Sequence, residues 1–157
     1  IGMKISGWDT HKGQGQVNGR HSELLSTVAQ GFQAIYRDMQ DQWDDLVVVT
    51  MTEFGRTSKE NGSAGTDHAE SSVMFVAGGG IRGGVYNCDE TTWADGDMFS
   101  RRDRYVARRT DFRSVFGEIF RGHFGDTADM MEDIIPGYTF AKLDNPQDFR
   151  PLDFIRA

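Results

Sequence analysis

The sequence has a single cysteine, Cys88, and no CxxC pair. An internal disulfide is therefore impossible, and thiolate zinc sites and dithiol redox motifs are excluded. Any metal must be held by oxygen and imidazole ligands. No run of 18 apolar residues occurs, so no segment reads as a membrane-spanning helix. Basic residues are outnumbered, 17 against 24 acidic, giving a net charge of −7. That balance argues against non-specific nucleic-acid binding, which needs basic surface. Apolar residues reach only 38%, while glycine is frequent at 19. A large loop share, or a surface that expects a partner, would account for both. The 157 residues still suffice for one domain with a core. The N-terminus starts as a strand, with neither an initiator Met nor a signal-peptide pattern. The chain is expected to be part of something longer. No internal repeat and no low-complexity tract is present.

What is there is organised around Leu46 to Val76. Two apolar runs, Leu46–Thr52 and Ser72–Ala77, flank a polar loop holding Glu53, Arg56, Asp67 and His68. The first run is short and β-branched and reads as a strand buried on both faces. Upstream, Ile1 to Ser6 alternates apolar and polar residues and reads as another strand, ending at Gly7. Asp9 and His11 follow at a spacing of two, which in extended chain points both side chains the same way. Two ligands of one cation need that placement, although a turn with a helix-capping Asp fits the same spacing.

Between these strands, Leu24, Leu25, Val28, Phe32, Ile35, Tyr36 and Met39 recur at helical spacing. The pattern predicts a helix from about Ser22, its N-cap, to about Gln42. Strand, helix and strand make a βαβ unit with parallel strands and a right-handed crossover. That topology would bring Asp9, His11 and Glu53 to one sheet edge. His68 becomes a further ligand if the glycine-containing loop Gly55 to Gly65 folds back. Arg56 suits an anionic oxygen, or a salt bridge to Glu53 or Asp67.

Gly78-Gly79-Gly80 lacks the order of a phosphate-binding loop and reads as a tight connection. Asn87 to Arg109, with Trp93, Met98, Phe99 and the cluster Arg101, Arg102 and Arg104, reads as a surface excursion. Thr110 or Asp111 caps a second helix whose apolar face is Phe112, Val115, Phe116, Ile119 and Phe120, closed by Gly122 and Gly125. His21 and His123 read as structural or surface residues. Beyond Asp126 no period is visible, and an extended tail over 126–157 is expected, packed on a domain over 1–125.

Taken in order, GWDTH, the helix, VVVTMTEFGRT, GTDHAESSVMFVAGGGIRGG and RTDFRSVFGEIF resemble an uncharacterised bacterial sulfatase-like family of the alkaline phosphatase and sulfatase superfamily. The likeness spans roughly Gly7 to Gly125. It implies an α/β fold with a mostly parallel sheet and flanking helices, of which this chain is the C-terminal part. It also implies a divalent metal (zinc, manganese or calcium), with Asp9, His11, Glu53 and His68 as ligands and Asp67 as a ligand or an orienting group. Ala69 replaces the usual glycine after Asp-His. The superfamily's nucleophile lies on an earlier strand, and none of Thr50, Thr52, Thr57 and Ser58 takes its place. Export is implied by analogy alone.

The function expected is metal-dependent hydrolysis of a small anionic phosphate or sulfate ester, with Arg56 as the anion clamp. It would be incomplete without the N-terminal portion. The alternatives are a non-catalytic binding or structural module holding the fold and one metal, and a metal-free ion-pair network of Asp9, Glu53 and Arg56.

Overall fold

The computed structural model describes residues 1–88, 99–101 (backbone only), 104–127 and 130–156. Trp93, Met98 and Arg102 of the expected surface excursion lie outside the described residues, as do the side chains of Phe99 and Arg101. The chain divides into two compact units. One is formed by Ile1–Asp41, Thr50–Met74 and Phe99–Val106, the other by Gln42–Val49, Phe75–Met98 and Ala107–Ala157.

In the first unit, helix α1 runs Arg20–Asp38. The three- and four-residue spacing of its apolar positions produces it, as the sequence predicted. It starts two residues before Ser22. Gly19 occupies the cap position, and Ser22 Oγ instead donates to the Gly19 carbonyl at 2.9 Å. Only Leu24 of the apolar face is buried; Val28, Phe32, Ile35 and Met39 are half-buried. Two short antiparallel pairs complete the unit. Strand β2 (Gly55–Arg56) pairs with β3 (His68–Ala69), and β5 (Phe99–Arg101) with β6 (Tyr105–Val106).

In the second unit, β1 (Val48–Val49) pairs antiparallel with β4 (Val76–Ala77). The glycine run after β4 is a tight connection. A Cβ on Gly78 would stand 2.1 Å from the Leu46 carbonyl oxygen, and the Gly79 N–H donates to the Trp43 carbonyl at 2.8 Å. Gly78 packs on backbone, and Gly79 on Asp44. Helix α2 spans Phe112–His123, and Asp111 is its N-cap, accepting from Arg113 N–H at 2.9 Å. Val115 and Ile119 are buried on its inner face, while Phe112 stays exposed. His123 sits in the last turn, its Nε2 donating to the Asp45 carbonyl at 3.2 Å.

Residues 126–157 contain helix α3 (Met131–Ile134), helix α4 (Tyr138–Asp144) and a 3-10 turn over Pro146–Phe149 where extended chain was expected. Helices of four and seven residues are too short to show a period. Met131, Tyr138, Ala141 and Phe149 form a buried cluster, with Phe120, Ile134 and Ile135 packed against it. Glu118 ties the C-terminal chain to α2 by accepting the N–H groups of Leu152 and Phe154, at 3.0 and 2.7 Å.

The expected α/β architecture is not formed. Among the described residues every strand pair is short and antiparallel, and there is no parallel sheet of the alkaline phosphatase kind. Ile1 to Ser6 is not a strand, and Ile1, Met3 and Ile5 are exposed. Leu46–Thr52 contributes only the two residues of β1, half-buried and paired with β4. The βαβ step therefore fails at both strands. A β-branched run favours extended backbone but does not name its partner, which packing against neighbours decides.

The α2 cap gives a stability prediction. Asp111 is buried, and its carboxylate takes the Arg113 guanidinium at 2.8 and 2.7 Å as well as the cap N–H. Burial by itself would raise its pKa. The hydrogen bonds from the Arg113 side chain and backbone outweigh burial and hold it below the ordinary 3.8. Asp111→Ala is expected to lower stability by about 1 kcal/mol or somewhat more. Because the folded-state value is depressed, the contribution is complete above about pH 4 and disappears as pH falls through the lower folded value. Chemical denaturation of wild type and variant at pH 7 and pH 3 checks this: the gap should shrink in acid.

Candidate metal centre

The centre is assembled by a loop laid against the segment after Gly7. Residues 57–67 form that loop, closed by the Thr57 N–H donating to the Asp67 carbonyl at 2.9 Å. Asn61 shapes it from inside: its Oδ1 accepts the N–H groups of Ser63 and Gly65, at 2.8 and 3.1 Å. The loop then bonds along the segment 10–14. Gly13 N–H donates to Ser63 O at 3.0 Å, Gln14 N–H to Ala64 O at 2.8 Å, and Thr66 N–H to Thr10 O at 3.2 Å. This pairing sets Asp9 and His11 beside Asp67 and His68. In the β2–β3 pair Arg56 stands directly opposite His68. Directly opposed residues of an antiparallel pair share a face, so both side chains reach toward Asp9.

Three donor atoms converge. Asp9 Oδ1 is 2.9 Å from His11 Nε2 and 2.7 Å from His68 Nε2, and the two imidazole nitrogens are 3.1 Å apart. Ligand atoms of a tetrahedral ion with bonds of about 2.0–2.1 Å lie about 3.3 Å from one another. The triad Asp9, His11 and His68 therefore has the spacing and donor chemistry that could hold a metal ion, with a few tenths of an ångström of opening. The three side chains are 61%, 41% and 48% exposed, so further coordination positions face solvent.

Supporting groups surround the triad. Arg56 NH1 donates to Asp9 Oδ1 at 3.0 Å. Its Nε donates to Thr66 Oγ1 at 2.7 Å, and its NH2 to the Thr66 carbonyl. Thr66 and Thr10 hydroxyls both donate to Gln14 Oε1, at 2.7 and 2.8 Å. Phe54 stacks on the His68 ring with centroids 3.9 Å apart. The hydrogen bonds from His68 and then Arg56 outweigh a small opposing desolvation and lower the Asp9 pKa from 3.8 to about 2. Asp67 is lowered too, first by the Asn61 hydrogen bond and then by those from His11 and Arg104.

Of the residues singled out from sequence, Asp9, His11 and His68 meet, and Arg56 meets Asp9 rather than Glu53 or Asp67. Asp67 touches His11 Nδ1 at 3.2 Å, outside the convergent group. Glu53 is exposed and not one of the three. Sequence reasoning placed Arg104 only in a surface basic cluster, took Asn61 only as a turn residue of the loop, and passed over Gln14, Thr66 and Phe54. Asn61 had a signal, since an Asn in a glycine-containing loop commonly bonds its own backbone two residues on. Arg104 had none, because it arrives from a stretch without a period.

A scan against protein-family models matches residues 1–120 to a family described as "Protein of unknown function (DUF1501)". The chain belongs to the DUF1501 family. No curated protein and no solved structure matches it. The resemblance to a sulfatase-like family is thereby corrected, because no sulfatase or alkaline phosphatase family was found. Its motifs were short, and Asp-x-His or Asp-His pairs suit any cation site regardless of ancestry. Among the described residues of this DUF1501 chain, no helix is long and apolar enough to cross a membrane.

Gly65 is the closest point of the assembly: a Cβ there would lie 2.3 Å from the His11 carbonyl carbon and 2.5 Å from the Thr10 oxygen. Both are backbone atoms that cannot swing aside. Gly65→Ala is expected to push the loop off the 10–14 segment and weaken divalent-ion binding at least ~10-fold, the scale of lost support around a metal. Helix content should stay unchanged. Calorimetric zinc titration alongside circular dichroism reads both.

Proposed function

We propose that the chain holds a divalent cation on Asp9, His11 and His68 and uses it to hydrolyse a small phosphate or sulfate ester. The convergence of Asp9 Oδ1 with two imidazole Nε2 atoms within 3.1 Å carries this reading. One carboxylate and two imidazoles suit zinc or manganese better than calcium, which prefers six or more oxygens. Three protein ligands with solvent-facing positions is the arrangement of catalytic rather than closed structural sites. When bound, such an ion supplies an activated water and an electrophile for a phosphoryl or sulfuryl oxygen. The protein orients Asp9 through Arg56 and holds the His68 ring against Phe54. The Arg56 cation also remains beside the ligands, where an anionic ester would arrive.

A second reading, a module that binds the metal without catalysis, is favoured by how fully the site's own groups are engaged. Arg56 bonds to Asp9 and Thr66 through all three nitrogens. Thr57 Oγ1 donates to the Lys59 carbonyl and accepts the Asp67 N–H, and Ser58 Oγ donates to the Arg104 carbonyl. Neither of these two hydroxyls is poised as a nucleophile. The test is turnover of chromogenic aryl phosphate and aryl sulfate by the zinc- or manganese-loaded chain, with His11→Ala as control. Metal-dependent turnover lost in the variant supports the hydrolase. Stoichiometric metal with no turnover of either ester establishes the module.

A further inference from the structure

The geometry points to Asp67 as a positioning residue that fixes the tautomer of His11, leaving Nε2 as the bare nitrogen at the triad. This rests on the proposed metal centre for its purpose but not for its test. Asp67 Oδ1 lies 3.2 Å from His11 Nδ1. A carboxylate can only accept, so the hydrogen bond to Asp67 puts the proton of a neutral His11 on Nδ1. Asp9 Oδ1, although 2.9 Å from Nε2, makes its imidazole hydrogen bond with His68 instead, which leaves the lone pair on His11 Nε2. Nε2 is the atom that meets Asp9 and His68. A ligating imidazole held through its other nitrogen by a carboxylate is the arrangement that sets ring orientation and basicity in metal sites.

The carboxylate is itself held so that both oxygens must accept. Asn61 Nδ2 donates to Asp67 Oδ1 at 2.9 Å, and Arg104 NH2 donates to Oδ2 at 3.0 Å. The Asn61 amide cannot flip to relieve this, because its Oδ1 already accepts two backbone N–H groups. The same Nδ2 also donates to the His11 carbonyl at 3.0 Å, so one amide ties down both the backbone of His11 and the group that reads its ring. The Asp67 backbone is fixed separately through Thr57, whose Oγ1 accepts the Asp67 N–H at 3.2 Å.

Asp67→Asn keeps the size but has one acceptor where two donors converge. If the Asn oxygen faces Arg104, its NH2 faces both Asn61 and His11, and His11 must shift its proton to Nε2 to accept at Nδ1. If the oxygen faces His11, the NH2 meets Arg104. The variant is expected to move His11 toward the Nε2–H form and to weaken zinc binding by about 10- to 100-fold.

The experiment uses the full chain labelled with ¹⁵N. Ring nitrogen shifts of His11 in the metal-free protein report the tautomer, and zinc titration of the same samples reports affinity. Nδ1–H in wild type, a shift toward Nε2–H in Asp67→Asn and weaker zinc binding support the assignment. A wild-type His11 carrying Nε2–H, or a variant with an unchanged tautomer, overturns it whatever happens to zinc. Loss of one protein ligand from the zinc X-ray absorption spectrum in the variant would also overturn it, by making Asp67 a direct ligand. Wild type that binds no zinc sinks the metal reading alone, since the tautomer still decides the role of Asp67. Should Asp67→Asn fail to fold, the wild-type tautomer decides by itself.

Discussion

Replacing His11 and His68 together by alanine is expected to abolish divalent-ion binding while leaving the fold in place. Wild type grown with zinc and manganese should carry about one ion per chain by elemental mass spectrometry, the number that one three-ligand centre holds. The double variant should carry none. Outer groups around metal ligands are worth ~10- to 100-fold in affinity each, so two direct ligands are worth at least ~10²- to 10⁴-fold together. What remains is one exposed carboxylate, Asp9, already engaged by Arg56. The side chains of His11 and His68 are 41% and 48% exposed, so little packing leaves with them. A thermal transition near wild type with the metal gone is the diagnostic combination. Absence of stoichiometric metal in wild type would remove the ligand assignment, and the centre would then be an ion-pair network joining Asp9, Arg56 and the two histidines.

Acid sharpens the same test. Asp9 is depressed to about 2, so its charge is complete above about pH 4 and is lost only as pH falls through 2. Coordination also needs unprotonated imidazole nitrogens. Metal release on acidification should therefore set in well above the range where Asp9 titrates. Retention down to pH 2–3 would mean that oxygen ligands alone hold the ion, against His11 and His68 as ligands.

Met131→Ala is expected to produce the largest loss of stability from a single core change. Met131 is fully buried, at 0% exposure, among Tyr138, Ala141 and Phe149, with Phe120, Ile134 and Ile135 around them. The cluster joins α2, α3, α4 and the following 3-10 turn, so a void there has neighbours on several sides that cannot collapse together. Truncating a buried Met costs about 2–5 kcal/mol. For a chain of this size that corresponds to a fall of about 4–20 °C in Tm. Met131→Leu, which conserves volume, should cost under about 1.5 kcal/mol. Thermal unfolding of the two variants separates a packing effect from an effect of the thioether. A fall below about 2 °C for Met131→Ala would mean that this cluster is not part of the cooperative core. Metal content should be unchanged in both, because the cluster and the candidate centre belong to different compact units.

The sequence by itself determined the elements whose signal is local. Helix α1 follows from the spacing of Leu24, Val28, Phe32 and Ile35, and α2 from that of Val115, Phe116 and Ile119 behind the Asp111 cap. The lack of a cysteine pair narrowed the metal ligands to oxygen and imidazole groups, but Asp9, His11 and His68 were named together with Glu53 and Asp67, through a βαβ topology that does not form and a resemblance that is corrected. Tertiary structure decided which segments pair. The strand-like runs at Ile1 to Ser6 and Leu46–Thr52 are specified by side chains that favour extended backbone, but a ladder needs a partner that no local pattern supplies. What carries His68 to His11 is not a parallel sheet edge but the loop 57–67 bonding along 10–14, through backbone groups identical in every residue type. For the same reason the sequence left open whether Asp67 binds an ion or orients a ring. Its contacts with His11, Asn61 and Arg104 span 56, 6 and 37 residues, and only the folded chain sets those distances.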